Sequence, residues 1–326
     1  MRSFLIQVGL YVFVFWLLNM AIGYELSTYE TQDLYEKKQF FPALRWEEYY
    51  EQEEAIDLLI LGSSHAYRSF DPLVIERAMS NKTKVFNFGS SAQSPVTSYY
   101  VLKEVLQKHR PKTVVFDIYY MVFSYDDQIK NGRFNWQHMQ ASEAKKAFLN
   151  EGFSTKERVS LSLFPSLVYK TYLKNKINSL LGRPIKIKSK GSYHGKGFVS
   201  TPDTLSLYEL KNSNQYDFLR VSTTALTKRN FEYLKKIKDL CQSENIQLIF
   251  TTTPIPEISV EKIDNYLEFH QLFDTKAKKW GVPYFDYNVN RIPALNDASH
   301  YYDDDHLNAA GAAVFSTAFA KDISKL

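Results

Sequence analysis

The chain has 326 residues, with 40 basic against 36 acidic side chains and a formal net charge of +4. That balance does not suit a dedicated nucleic-acid binder, and 44% hydrophobic with 23% charged residues excludes disorder of the whole chain. A single cysteine, Cys241, excludes an intramolecular disulfide and a thiolate zinc cluster.

Phe4 to Ile22 is a run of 19 residues without a charge, just long enough at 1.5 Å per residue to cross a hydrocarbon core of ~30 Å. Arg2 precedes it, and Glu25, Glu30, Asp33 and Glu36 follow it. Basic residues stay cytoplasmic, so this asymmetry puts the N-terminus inside and the rest of the chain outside. Residues 1–23 are expected to be a single-pass anchor in the cytoplasmic membrane, with an extracytoplasmic domain behind it. A cleaved signal peptide ending near Ala21-Ile22-Gly23 is the rival, although such apolar regions usually run only ~7–15 residues. A buried core helix is the third reading. Residues 24–55, acidic and aromatic, read as a stalk or a first helix.

From residue 56 a βα alternation begins. Leu58–Leu61 suits a strand buried on both faces, and Asp71-Pro72 caps a short helix to about Ser80. Lys84–Phe88 reads as a second strand, Pro95–His109 as a helix and Thr113–Tyr119 as a third strand. An insertion of about residues 120–220, mainly helical, interrupts the pattern. It resumes with a helix over about 224–243, a strand Ile246–Thr251, a helix over about Val260–Trp280, a strand near Pro283–Asp286 and a last helix from Asn308. Strands separated by helices at this spacing predict an α/β domain over 56–326, with a parallel central sheet between two helical layers. Within the insertion, Lys170 to Lys196 carries eight basic residues and no acidic one. It reads either as a docking surface for an anionic polymer or lipid headgroups or as a solvated loop.

Ligands of open parallel sheets bind outside the carboxyl ends of the strands. Gly62-Ser63-Ser64-His65 follows the first strand there, and a serine becomes a nucleophile only where a base takes its proton. Asp303-Asp304-Asp305-His306-Leu307-Asn308 precedes the last helix, where a carboxylate three residues before a histidine can orient the ring as that base. A cation site built from the three aspartates with His300 or His306 is the competing reading. Asn87-Phe88-Gly89-Ser90 ends the second strand, where Gly89 N–H, with Ser64 N–H, could face a developing oxyanion. Arg68 could bind a substrate carboxylate or phosphate, or pair with Asp71. His65 reads as a local hydrogen-bonding residue, His194 as solvated, Trp280 as core and Thr251–Pro254 as lining the cleft.

Leu61-Gly62-Ser63-Ser64, Gly89 and Asp303-x-x-His306-Leu-Asn-x-x-Gly resemble the SGNH/GDSL hydrolase superfamily over about residues 57–119 and 245–326. The resemblance implies a flavodoxin-like three-layer sandwich. It also implies Ser64 as nucleophile, Asp303 and His306 as its partners, Gly89 with Ser90 at the oxyanion and substrate side, and no metal or other cofactor. One departure stands out: the superfamily's third block carries Gly-x-Asn, whereas the third strand here ends Asp117-Ile118-Tyr119-Tyr120. The GSS form with one anchor looks most like the D-alanyl transfer protein of teichoic-acid D-alanylation and the exopolysaccharide O-acetyltransferases. That similarity implies esterase or O-acyltransferase chemistry on a cell-surface polysaccharide or teichoic-acid-like polymer, beside a membrane-bound O-acyltransferase, with no nucleic acid. The missing asparagine leaves an alternative, a catalytically weak binding or assembly subunit of an envelope polysaccharide modification complex.

Overall fold

The computed structural model describes residues 1–36, 41–124, 129–169, 173–174, 177–178, 180–183, 191–213 and 226–326. In chain order it runs α1 (Arg2–Glu36), α2 (Phe41–Glu51), β1 (Leu58–Leu61), α3 (Ser64–Ser69), α4 (Pro72–Ala78), β2 (Val85–Asn87), α5 (Pro95–Val105) and β3 (Thr113–Asp117). The insertion contributes α6 (Tyr120–Ser124), α7 (Ile129–His138), α8 (Glu143–Ala147), α9 (Thr155–Leu163), a small hairpin of β4 (Ser192–Tyr193) and β5 (Val199–Ser200), and α10 (Leu207–Asn212). The chain closes with α11 (Lys228–Ser243), β6 (Gln247–Thr252), α12 (Glu257–Glu261), α13 (Tyr266–Trp280), β7 (Tyr284–Asp286) and α14 (Ala309–Ile323).

Five strands form one sheet in the order β2-β1-β3-β6-β7, every pairing parallel. This is the flavodoxin-like order, whose switch point lies between β1 and β3. Because side chains alternate across a strand, Leu59 and Leu61 face one core with Val114, Phe116 and Phe250, roofed by α5, α11 and α13. Leu58 and Ile60 face a second core with Val115, Ile249, Phe315 and Phe319, roofed by α3, α4 and α14. The expected three-layer α/β architecture with a parallel sheet is what the chain forms.

Residues 24–55 are not one stalk. The first helix continues through residue 24 to Glu36, and α2 lies on the core, with Trp46 and Tyr49 buried. Their i, i+3 spacing puts both rings on one helix face, and Tyr49 OH donates to the Val105 carbonyl at 3.1 Å. The expected single helix over Val260–Trp280 divides into α12 and α13 around residues 262–265. Helix α13 ends at Gly281 in the left-handed region (φ +65°); Gly281 N–H reaches Lys278 O and Val282 N–H reaches Ala277 O, as a glycine terminator does. The Asp71 cap of α4 forms as read, and Asn308 caps α14.

One end of the basic stretch folds into the domain. Lys196 Nζ pairs with Glu76 Oε1 at 2.5 Å, and Lys196 O accepts the Asn87 N–H of edge strand β2 at 2.9 Å. Most of its remaining basic side chains lie outside the described residues, Lys174 and Arg183 being exposed exceptions.

Candidate active site

β1 ends at Leu61, and Gly62 turns the chain with φ +152°. A Cβ on Gly62 would lie 2.8 Å from Asp117 Cβ and 2.9 Å from Ala66 Cβ, so a larger residue would push β3 and α3 apart. The two serines then divide their work. Ser63 is the N-cap of α3, its Oγ accepting the His65 N–H at 3.3 Å, which is what a cap serine does. Ser64, the first residue of α3, points its Oγ at His306 Nε2, 2.9 Å away.

His306 arrives from the loop before α14. Tyr301 and Leu307 form an antiparallel bridge, so the three aspartates sit at the tip of a tight loop. Asp303 Oδ1 accepts the N–H groups of Asp305 and His306 at 2.9 and 2.7 Å, and its two oxygens lie 3.1 and 3.2 Å from His306 Nδ1. Burial pushes the Asp303 carboxyl up, but the hydrogen bond and charge of His306 outweigh it and hold the group below the usual carboxylate range. Leu307 is buried in the core. Asn308 Oδ1 caps α14 through Gly311 N–H at 3.0 Å, and a Cβ on Gly311 would lie 2.2 Å from His300 O. Each fixed position of the Asp-x-x-His-Leu-Asn-x-x-Gly run thus has its own physical reason.

The three adjacent carboxylates diverge. Asp304 accepts the Ser213 hydroxyl, and burial, then Asp303 and Asp305, push its carboxyl up to about 6. Asp305 turns inward, with Oδ1 3.0 Å from His65 Nε2 and Oδ2 3.2 Å from Tyr119 OH. The His65 ring lies between Tyr119 and His306, at centroid distances of 3.9 and 4.7 Å. Burial depresses the His65 pKa, yet Asp305 more than compensates and the net shift is upward. A cation site of three aspartates is therefore not formed. His65, Asp305 and His306 do place ligand atoms within 4.8 Å of one another, but both His306 nitrogens are already engaged by Ser64 and Asp303.

The expected Gly89 donor is not available to an oxyanion, and neither is the amide of its neighbour Ser90. Gly89 N–H donates to Asn87 Oδ1 at 2.9 Å, and Ser90 N–H donates to Gly62 O at 3.0 Å. Gly89 matters sterically instead: a Cβ there would lie 2.8 Å from Ala66 Cβ and from Tyr67 N. The Ser90 hydroxyl sits in a buried network, donating to Gln93 Oε1 at 2.7 Å and accepting from Asn135 Nδ2 at 2.9 Å. Arg68 does not pair with Asp71, whose carboxylate caps α4 through Leu73 and Val74 N–H. Its guanidinium lies over the Tyr302 ring at 4.6 Å, and Tyr302 OH is 3.3 Å from His306 Nδ1. Thr252 and Thr253 are buried and brace β3 rather than line a cleft: Thr252 Oγ1 donates to Ile118 O, and Thr253 N–H to Asp117 Oδ1. His194 bonds Ser200 Oγ at 2.9 Å instead of facing solvent alone.

Several residues join the site through pairings that the sequence does not signal. His65 and Asp305 flank predicted residues, yet their pairing spans 240 positions. Asp117 ends β3 beside the serine turn, and burial pushes its carboxyl up to about 6 against the opposing pull of His65. Arg45 of α2, fully buried, donates to Gly89 O and to Asn135 Oδ1 at 3.0 Å, tying the Gly89 loop to α2 and to the insertion.

A protein-family model matches residues 33–194, less than half of the chain. No curated protein matches it. Among solved structures, similar ones include a Bacteroides fragilis protein assigned as an acylhydrolase (13% identity, TM-score 0.39, covering 86% of this chain and 93% of that one). Another is a protein assigned to the GDSL lipolytic family from Desulfitobacterium hafniense (10%, 0.39, 81% and 97%). A third is a GDSL-like lipase from Bacteroides thetaiotaomicron (10%, 0.38, 82% and 87%).

Proposed function

We propose that this chain is an SGNH-type serine acyl-enzyme, anchored by α1 in the cytoplasmic membrane and acting outside it. The observation that carries the reading is the continuous hydrogen-bonded line from Ser64 Oγ through His306 to Asp303, at the carboxyl end of β1 where the strand order reverses. His306 Nε2 takes the Ser64 proton as Oγ attacks an acyl carbonyl, and returns it to the leaving alcohol, giving an acyl-serine. An incoming hydroxyl, deprotonated by the same nitrogen, then takes the acyl group and frees Ser64. Asp303 holds the ring in the tautomer with Nδ1–H. Ser64 N–H, at the first position of α3, is the available backbone donor for the oxyanion. The acceptor hydroxyl is proposed to belong to a cell-surface polysaccharide or teichoic-acid-like polymer, with a membrane-bound O-acyltransferase as the source of the acyl group. Labelling with a serine-directed fluorophosphonate tests the reading. Wild type should be modified at Ser64 and Ser64→Ala should not, and label remaining in Ser64→Ala would reject it.

The engaged Gly89 and Ser90 amides favour a second reading, an SGNH-like subunit that binds the polymer without efficient turnover. Absence of labelling in a folded wild type that still retains polymer would select it.

A further inference from the structure

The insertion is joined to the distal part of α1. Asn19 Nδ2 donates to Ser166 Oγ at 2.6 Å. Gly23 approaches the same segment so closely that a Cβ there would meet Pro165 Cβ at 2.9 Å and Ser166 N at 3.0 Å. The apolar part of α1 spans Ser3–Leu26. At 1.5 Å per residue, Asn19–Gly23 lies roughly 24–30 Å along the helix from Ser3, which is the far edge of a hydrocarbon layer about 30 Å thick.

The segment that makes this contact leaves its own apolar side chains uncovered. No described residue of α9 is buried. Val159, Leu163 and Leu167 are 48, 46 and 48% exposed, and Leu173, Ile177 and Leu180 are 38, 46 and 79% exposed. Val159 and Leu163, four residues apart within α9, share one face of that helix, and Leu167 follows in the next turn of chain, which carries the contact to α1. Exposed Lys174 and Arg183 lie among and just after Leu173, Ile177 and Leu180, in a stretch whose sequence has eight basic residues and no acidic one from Lys170 to Lys196. An apolar face with a basic rim at the end of a membrane-spanning helix has the character of an in-plane interfacial segment. Its basic residues match anionic headgroups.

We propose that the described part of residues 155–183 is a membrane strap, seated in the headgroup layer of an anionic bilayer beside α1, which sets the orientation of the catalytic domain on the membrane. This rests on the reading of α1 as a retained anchor. The test uses the full-length chain in phosphatidylcholine/phosphatidylglycerol vesicles, with single cysteines labelled by an environment-sensitive fluorophore at Leu163, Leu180, Phe13 or Leu207. Cys241 does not compete, because it is fully buried and burial pushes its thiol up to about 12. Nitroxide-bearing lipids should quench the probes at Leu163 and Leu180 nearly as strongly as at Phe13, with blue-shifted emission. The probe at Leu207 should respond only to aqueous iodide. Iodide quenching at Leu163 and Leu180, with Phe13 still in lipid, overturns the strap and leaves the anchor standing. Iodide quenching at Phe13 overturns the anchor itself. Shielding at Leu163 and Leu180 from both quenchers assigns the face to a protein partner or a second copy and overturns the lipid assignment.

Discussion

His306 is held from several sides: Asp303 through Nδ1, Ser64 at Nε2, and the His65 ring against its face. These contacts do different jobs, so their loss should read differently. Asp303→Asn removes the acceptor that selects the tautomer, and should lower turnover by about 10⁴-fold. His306→Ala should cost about as much as Ser64→Ala, and the double variant little more, because the groups act as a unit. His65→Gln should leave fluorophosphonate labelling detectable but slow it by about 10- to 100-fold, the scale of a misplaced catalytic group. Labelling rates of the purified chain check Asp303→Asn, His306→Ala and His65→Gln, ester-hydrolysis rates check the variants that lack Ser64, and a His65→Gln labelling rate equal to wild type would remove His65 from the positioning of the base. Asp117 makes a stability prediction. Its carboxyl titrates at about 6 instead of its ordinary 3.8 because burial disfavours the charge. A raised folded value means that stability is fully present below about pH 3.8 and is lost as pH rises through about 6. The loss is roughly 3 kcal/mol once both states are ionised. Asp117→Asn should therefore unfold at a higher temperature than wild type at pH 8 and at a similar temperature near pH 4, as read by thermal unfolding.

At the scale of elements, the serine turn depends on segments packed behind it. α3 presses on Gly89, whose amide is spent on Asn87 and whose carbonyl is held by Arg45. Gly89→Ala forces a Cβ into the α3 backbone, and over-packing of this kind costs about 1–3 kcal/mol. Because the first residue of that helix is Ser64, labelling should fall along with stability. Gly197 is more constrained. It has φ +83°, and a Cβ would overlap Asn87 O at 1.7 Å, so the β4–β5 hairpin closes over the edge of β2 only with glycine there. Gly197→Ala should detach the hairpin, exposing the Lys196 and Asn87 amides, which hydrogen exchange would detect as faster exchange at β2. Unchanged protection of β2 would show that the hairpin is dispensable to the edge.

At the scale of the whole molecule, the proposed anchoring by α1 fixes the side of the membrane on which the α/β domain lies. Protease added to intact spheroplasts should digest the domain after about residue 24, since Arg2 precedes the apolar run and acidic residues follow it. Protection would reverse the orientation, and a mature N-terminus shortened to near Gly23 would favour the cleaved signal peptide. The sequence by itself determined the five strands of the main sheet, most of the helices between them, the apolar first helix and the turns that end the strands. These follow from local causes: buried runs such as Leu58–Leu61, the Asp71-Pro72 and Asn308 caps, and glycines where the backbone must turn or approach closely. Parallel strands bring their carboxyl ends to one edge, which is why Ser64 and His306, 242 positions apart, can be expected near one another. Only the tertiary structure decided which side chains meet at that edge. The His65–Asp305 pair, the engagement of the Gly89 and Ser90 amides, the buried Arg45–Asn135 support and the packing of α2 on the core all join segments distant in sequence. Such pairings depend on sheet register and helix rotation, which place a side chain to within a fraction of a residue, whereas periodicity along the chain reports only the face on which that side chain lies.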